Sequence, residues 1–254
     1  MIKVLVNGAL GRMGRTVCGA VKADSDLELV GAVDVIAGEV EGLQVETDLD
    51  AALKKFSPEV MVDFTRPNVV FQNVMTALAN KVSPVVGTTG LSDEAKEKIR
   101  VCAEENQTPA FIAPNFALGA VLMMLTAQKI VKYMPDVEII ELHHDKKLDA
   151  PSGTAELTAK MISEVRPSHK QGHPDEEERL AHVRGADFDG IKIHSVRLPG
   201  YVAHQEVIFG GLGQTLTIRH DSTGRDSFMP GVVLACKKVR GLKGLTVGLD
   251  KILD

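Results

Sequence analysis

The sequence predicts an α/β chain: a Rossmann-like, doubly wound parallel sheet plus a second α+β domain with a mostly antiparallel sheet. Three observations predict it. The chain opens on a fully apolar run, Ile2 to Val6, that ends in a glycine-rich turn. Short apolar runs then alternate with helical patterns as far as residue 115, the grammar of parallel strands buried on both faces. From Ile191, three strand-like runs follow one another across Pro-Gly and Gly-rich turns, which is antiparallel grammar.

Gly8-Ala9-Leu10-Gly11-Arg12-Met13-Gly14 follows the first strand and opens the helical pattern Thr16–Val21. Leu27–Val33 is the next strand and ends at Asp34, 20 positions beyond Gly14. Turn, helix, strand and terminal acid in this order form a dinucleotide-binding fingerprint: glycines let the backbone approach a pyrophosphate, and the acid holds ribose hydroxyls. The spacing is G-x-x-G-x-x-G rather than G-x-G-x-x-G, so the order of elements carries the reading more than the glycines do. Asp34 is followed by Val35, not by a basic residue, which favours the free ribose of NADH over the phosphate of NADPH, with Arg12 as a partial counterweight.

The alternation continues with a short helix over Asp48–Lys55, a strand over Glu59–Phe64, and a helix over Asn68–Asn80. Pro84–Gly87 is a strand, Ser92–Glu105 a helix capped by Ser92, and Pro109–Ala113 a strand. The tails Phe64-Thr65, Gly87-Thr88-Thr89 and Asn115-Phe116 fall on the carboxyl edge of such a sheet, where ligands bind.

A helix from Leu118 to about Lys132 and a strand over Val137–Leu142 lead into the most chemically loaded stretch of the chain. Glu141-Leu-His143-His144-Asp145-Lys146-Lys147-Leu-Asp149-Ala-Pro151-Ser152-Gly153-Thr154-Ala155 sets two imidazoles and two ammonium groups before a helix. Adjacent histidines in a strand point to opposite faces, so they share one task only if the strand has ended. The free amides of a helix start attract small anions. Lys147 and the Gly153-Thr154 amides would hold carboxylates, and His143 or His144 would deliver a proton. His143, His144 and Asp149 lack the spacing of common zinc sites, so no metal is expected.

The polar stretch 167–179 reads as a solvated excursion. Ile191–Arg197, Val202–Phe209 and Gln214–His220 are strands, and Phe228–Val239 is a helix. His169, His173, His182, His194 and His220 are scattered polar filling, with His204 the one that stands out in its strand.

A net charge of −5, the absence of Trp and only 4% aromatic residues argue against nucleic-acid and membrane-surface partners. No run reaches transmembrane length and no secretory leader is recognisable, which predicts a cytoplasmic protein. Cys18, Cys102 and Cys236 are scattered through helical patterns and read as reduced, packed thiols.

Gly8–Gly14, Asp63-Phe-Thr-Arg-Pro67, Gly87-Thr-Thr-Gly90, Ala113-Pro-Asn-Phe116 and above all Glu141-Leu-His-His through Lys147-Leu-Asp-Ala-Pro-Ser-Gly-Thr-Ala155 resemble dihydrodipicolinate reductases of lysine and diaminopimelate biosynthesis. Ser195-Val-Arg-Leu-Pro-Gly, Val202-Ala-His-Gln-Glu-Val and Arg225-Asp-Ser-Phe extend the resemblance along the whole chain, in order. It implies reduction of 4-hydroxy-tetrahydrodipicolinate by NADH or NADPH with loss of water. By the same resemblance His143 is the proton donor and acceptor, Lys147 a proton donor and substrate contact, and His144, Gly153 and Thr154 further substrate contacts. The cofactor would meet Gly8, Ala9, Leu10, Gly11, Arg12, Met13, Asp34, Gly87, Thr88, Thr89, Ala113, Pro114, Asn115 and Phe116. Residues 1–115 and 228–254 would form the dinucleotide domain, 116–227 the substrate-binding and oligomerisation domain of a homotetramer. Two departures stand out: Asp145-Lys146 replaces the more basic pair common in the family, and no arginine follows Asp34. The rival readings are another two-domain nicotinamide dehydrogenase, for instance one with a nucleophilic cysteine, and a dinucleotide-sensing regulator.

Overall fold

In a computed structural model, which describes residues 1–167 and 169–253, the first half of the chain runs β1 (Ile2–Asn7), α1 (Arg12–Ala23), β2 (Leu27–Val33), β3 (Gly38–Val40), β4 (Leu43–Glu46), α2 (Leu49–Phe56), β5 (Val60–Asp63), α3 (Pro67–Ala79), β6 (Ser83–Val86), α4 (Asp93–Glu105) and β7 (Ala110–Ile112). There follow α5 (Leu118–Ile130), β8 (Asp136–His143), α6 (Gly153–Ser163), β9 (Ala186–Phe188), β10 (Ile191–Arg197), β11 (Ala203–Gly211), β12 (Gln214–Ser222), α7 (Met229–Lys238) and β13 (Leu245–Val247). Of the sequence readings, Ser168 in the polar stretch and Asp254 at the end of the first domain lie outside the described residues. The chain divides into two units: residues 1–118 with the segment from Arg225 onward, and Gly119–Gly224.

The first unit is built on an eight-stranded sheet of order β13-β7-β6-β5-β1-β2-β4-β3, parallel throughout except for the β3–β4 pair. β5 and β6 are buried at every position, as strands covered on both faces require. Asp48 caps α2 by accepting from the Ala51 amide, Ser92 caps α4 by accepting from Ala95, and Pro67 starts α3 where its missing N–H costs nothing. The chain builds outward from β1 through β2 to β4, then returns to lay β5 on the other side of β1. That reversal opens a crevice above the carboxyl ends of β1 and β5, the place where doubly wound sheets bind ligands. The β3–β4 hairpin had no counterpart in the sequence reading: its short strands are interrupted by polar residues and form no continuous apolar run.

The second unit has a five-stranded sheet of order β12-β11-β8-β10-β9. Its inner face, with Val137, Ile139, Ile191, Ile193, Val207 and Phe209, packs against Met123 and Ala127 of α5 and Ala155, Ala159 and Ile162 of α6. The three successive strands of the sequence reading do not form one meander. β11 and β12 are an antiparallel pair, but β10 runs parallel to β8, which lies between β10 and β11. Adjacency in sequence suggested the pairing; β8, which follows α5 and precedes α6, takes the centre instead. β8 therefore has a neighbour on each side along most of its length, out to His143.

Candidate active site

In the first unit the glycine-rich turn leaves β1 and enters α1. Gly8 adopts φ +82°, and a Cβ there would lie 2.6 Å from the Phe64 carbonyl oxygen. Gly14 lets α1 pack onto the turn: a Cβ on it would lie 2.0 Å from the Gly8 carbonyl oxygen. Gly11 stands at the N-cap of α1 and brings no side chain to its first amides, which are left for an anion. The Asp34 carboxylate accepts from the Leu10 amide at 2.8 Å and the Val35 amide at 2.7 Å. Each oxygen keeps a lone pair for hydroxyl donors. Gly8, Leu10, Gly11 and Asp34 line one cleft of about 690 Å³ with Val35, Ile36, Thr65 and Arg66. Close backbone approach, an open helix start and a fixed acid suit a dinucleotide.

Beneath the cleft, Asp63 at the end of β5 is fully buried. It accepts from the side-chain amides of Asn7 and Asn73, each at 2.9 Å, from the Thr65 amide at 3.1 Å, and from the Thr65 and Thr88 hydroxyls, each at 2.8 Å. Its donors are amides and hydroxyls rather than cations, and they come from β1, α3 and the ends of β5 and β6. One carboxylate thereby fixes three loop starts at the crevice.

Of the other sequence-predicted cofactor residues, Ala9 is buried, Arg12 exposed and Met13 half-buried on the first turn of α1. Gly87 packs against the Phe64 ring, the Thr88 hydroxyl is turned inward to Asp63, and Thr89 is exposed. Pro114 is exposed, Asn115 accepts from the Ala117 amide at 2.8 Å, and Ala113 and Phe116 are buried. The stretches 87–89 and 113–116 do not line the cleft that holds Gly8 and Asp34.

In the second unit, the inner face of β8 changes character along its length: Val137 and Ile139 belong to the core, then Glu141 and His143 follow at the same two-residue period. Glu141 is completely buried. Its Oε1 accepts from Arg197 Nη2 at 2.6 Å and from the Ser152 amide at 3.2 Å; its Oε2 accepts from Arg197 Nη1 at 2.9 Å and lies 2.5 Å from His143 Nδ1. Burial alone would raise its pKa, but hydrogen bonds from His143, Arg197 and Ser195 outweigh that and hold it at about 2. Arg197 also donates to the Asp149 carbonyl at 2.8 Å, tying β10 to the loop.

His143 is the last residue of β8, whereas His144 lies beyond the strand and is exposed. The Lys147 ammonium donates to both Asp149 oxygens, at 2.7 and 2.8 Å, and the hydrogen bond from Lys147 lowers the Asp149 pKa. Ser152 caps α6 by accepting from the Ala155 amide at 3.2 Å. Around Gly153, at the first turn, no atom lies within 4 Å of where a Cβ would sit, so the helix start opens onto free space. A half-buried imidazole, an ammonium group and an open helix start thus lie on one short segment.

Glu141 and Arg197 had no functional role in the sequence reading. The signal for Glu141 was present: it shares the inner face of β8 with His143, and a carboxylate on a core face needs a partner. Arg197 could be paired with it only through the β8–β10 register, which sequence adjacency concealed.

Residues 2–116 match the family model for the N-terminus of dihydrodipicolinate reductase, and residues 119–253 match the model for its C-terminus. The chain belongs to the dihydrodipicolinate reductase family. Among its relatives, the 4-hydroxy-tetrahydrodipicolinate reductase of Desulfitobacterium hafniense is 51% identical, with 100% of this chain and 99% of the relative covered. That of Halalkalibacterium halodurans is 52% identical, with both chains covered in full. The dipicolinate-bound dihydrodipicolinate reductase of Paenisporosarcina sp. TG-14 superposes with a TM-score of 0.93 at 48% identity, again over both chains in full.

As a member of this reductase family the chain is an oxidoreductase with a nicotinamide-binding Rossmann-type fold. Cys18 and Cys236 are poor candidates for the nucleophile of the cysteine rival, because both are buried and burial pushes both thiols up to about 12, while Cys102 lies within α4 rather than at a loop or helix start.

Proposed function

We propose that the chain reduces 4-hydroxy-tetrahydrodipicolinate to tetrahydrodipicolinate with loss of water, in lysine and diaminopimelate biosynthesis in the cytoplasm. The observation that carries the reading is the grouping of His143, Lys147 and the open start of α6 on one segment. NADH or NADPH, when bound, supplies the hydride. Gly8–Met13 would hold its pyrophosphate at the start of α1 and Asp34 its ribose, with Gly87–Thr89 and Ala113–Phe116 as further contacts. Val35 is 89% exposed beside Asp34 and offers no charge to a ribose phosphate, which favours NADH.

The substrate is a dicarboxylate. His144, Lys147 and the Gly153 and Thr154 amides would hold its carboxylates, with the dipole of α6 adding attraction. His143 exchanges the proton at the reacting centre, and Lys147 is a second proton donor once the substrate draws it from Asp149. The outer face of the five-stranded sheet carries Ile140, Leu142, Val196 and Ile208, which supports assembly into a homotetramer through this face.

Purified protein supplied with freshly generated substrate is expected to oxidise NADH with a higher kcat/KM than NADPH. Unchanged nicotinamide absorbance with either cofactor would overturn the reading; a preference for NADPH would overturn the role given to Val35.

A further inference from the structure

We propose that Glu141 is a positioning residue that holds His143 in a single tautomer, Nδ1 protonated and Nε2 left to face the substrate. The inference rests on His143 being the proton donor of the proposed reaction. The contacts of Glu141 carry it. The carboxylate takes two donors from Arg197, one from the Ser152 amide and one from His143, two on each oxygen, and the Ser195 side chain adds a further hydrogen bond. A carboxylate has about four lone-pair sites, so none is left for substrate or for an incoming proton. Glu141 is therefore neither a ligand group nor an acid. Its remaining capacity is to fix geometry.

A carboxylate that stays ionised can only accept, so His143 Nδ1 must donate to it; the ring gives a proton from Nε2 when both nitrogens are protonated, and giving it leaves the Nδ1–H tautomer that Glu141 holds. The anchor is rigid on every side. Arg197 lies opposite His143 in the β8–β10 register, the Ser152 amide comes from the cap of α6, and Ala203 flanks His143 from β11. The charged group in contact with the imidazole is Glu141 on its own strand; Arg197 on β10 pairs with the same carboxylate, and Lys147 pairs with Asp149 on the following loop. Arg197 balances the charge of Glu141, so the carboxylate orients the ring without adding a net negative charge to a site that must bind an anion. The same Ser152 that bonds to Glu141 starts the helix proposed to hold a substrate carboxylate, so proton donor and anion grip share one fixed point.

The rival explanation is that Glu141 only staples β8, β10 and α6 together. Three readouts separate the two. In 15N-histidine-labelled protein, with the His143 signals identified by their loss in His143→Asn, Nδ1 is expected to carry the proton. In Glu141→Gln the side-chain amide can donate to Nδ1, and the proton is expected on Nε2. Glu141→Gln is expected to lower kcat about 100-fold, part of the 10²–10⁴ that a placed acid supplies, with NADH affinity within about twofold of the parent. In a His143→Asn background the same substitution is expected to cost almost nothing more, because the ring it orients is gone.

Nδ1 found as the acceptor in the unsubstituted protein overturns the proposal, and this measurement stands even if Glu141→Gln does not fold. An equal loss of kcat in both backgrounds overturns it as well, in favour of the staple. Full turnover by His143→Asn overturns the acid assignment beneath it, an outcome distinct from the other two.

Discussion

At the scale of single residues, the glycine turn and the loaded loop make opposite demands. Gly14 is needed for what it lacks. A methyl group 2.0 Å from a backbone oxygen cannot be relieved by turning a side chain, so Gly14→Ala must separate α1 from β1. We expect a loss of about 2–3 kcal/mol in urea unfolding, the cost of overpacking a tight contact, together with weakened NADH binding. Lys147 is needed for what it carries. Its ammonium is already held by Asp149, so Lys147→Ala breaks one ion pair at the loop surface and leaves the fold standing. Turnover should fall by about 10²–10⁴, the range for loss of a placed proton donor, while NADH affinity measured by fluorescence titration stays near that of the parent.

At the scale of elements, α6 and β8 are held together through Glu141, and acid should release them. The Glu141 pKa lies at about 2, below the usual 4.5, so the native state binds its proton less readily than the unfolded chain does. The stabilisation is complete above pH 4.5 and is lost as pH falls through about 2. Denaturant midpoints measured between pH 5 and 2.5 should therefore drop more steeply in the parent than in Glu141→Gln. Most of this architecture was legible in the sequence. Elements with a complete local signal, such as α4 behind its Ser92 cap and β5 with its unbroken apolar run, announced themselves locally. The hairpin β3–β4 and the placement of β8 between β10 and β11 did not, because the short strands Gly38–Val40 and Leu43–Glu46 are interrupted by polar residues and form no continuous apolar run, and strand order is decided by packing between distant segments. The site followed the same division. His143, Lys147 and the cap of α6 are neighbours in sequence. The Glu141–Arg197 and Asn7–Asp63 pairs join residues 56 positions apart in each case, and only the registers bring them together.

At the scale of the whole molecule, the outer face of the five-stranded sheet is where the proposed assembly can be tested. Ile208 lies on that face, opposite Glu138 in the β8–β11 register and away from the core formed by Val207 and Phe209. Sedimentation velocity should give a tetramer for the parent, and Ile208→Glu should shift it to smaller species while circular dichroism stays unchanged. A monomeric parent would remove the assembly from the proposal.

The position of His143 on β8 has a consequence for motion. β8 is paired on both sides as far as its last residue, so its backbone amides have no edge from which to fray. Hydrogen–deuterium exchange at Glu141 and His143 should be among the slowest in the Gly119–Gly224 unit, close to the limit set by global unfolding. Lys147 and His144, past the strand end, should exchange orders of magnitude faster. The proton donor would then be anchored in the most persistent part of its unit, and adjustment to the substrate would fall to the loop that follows it.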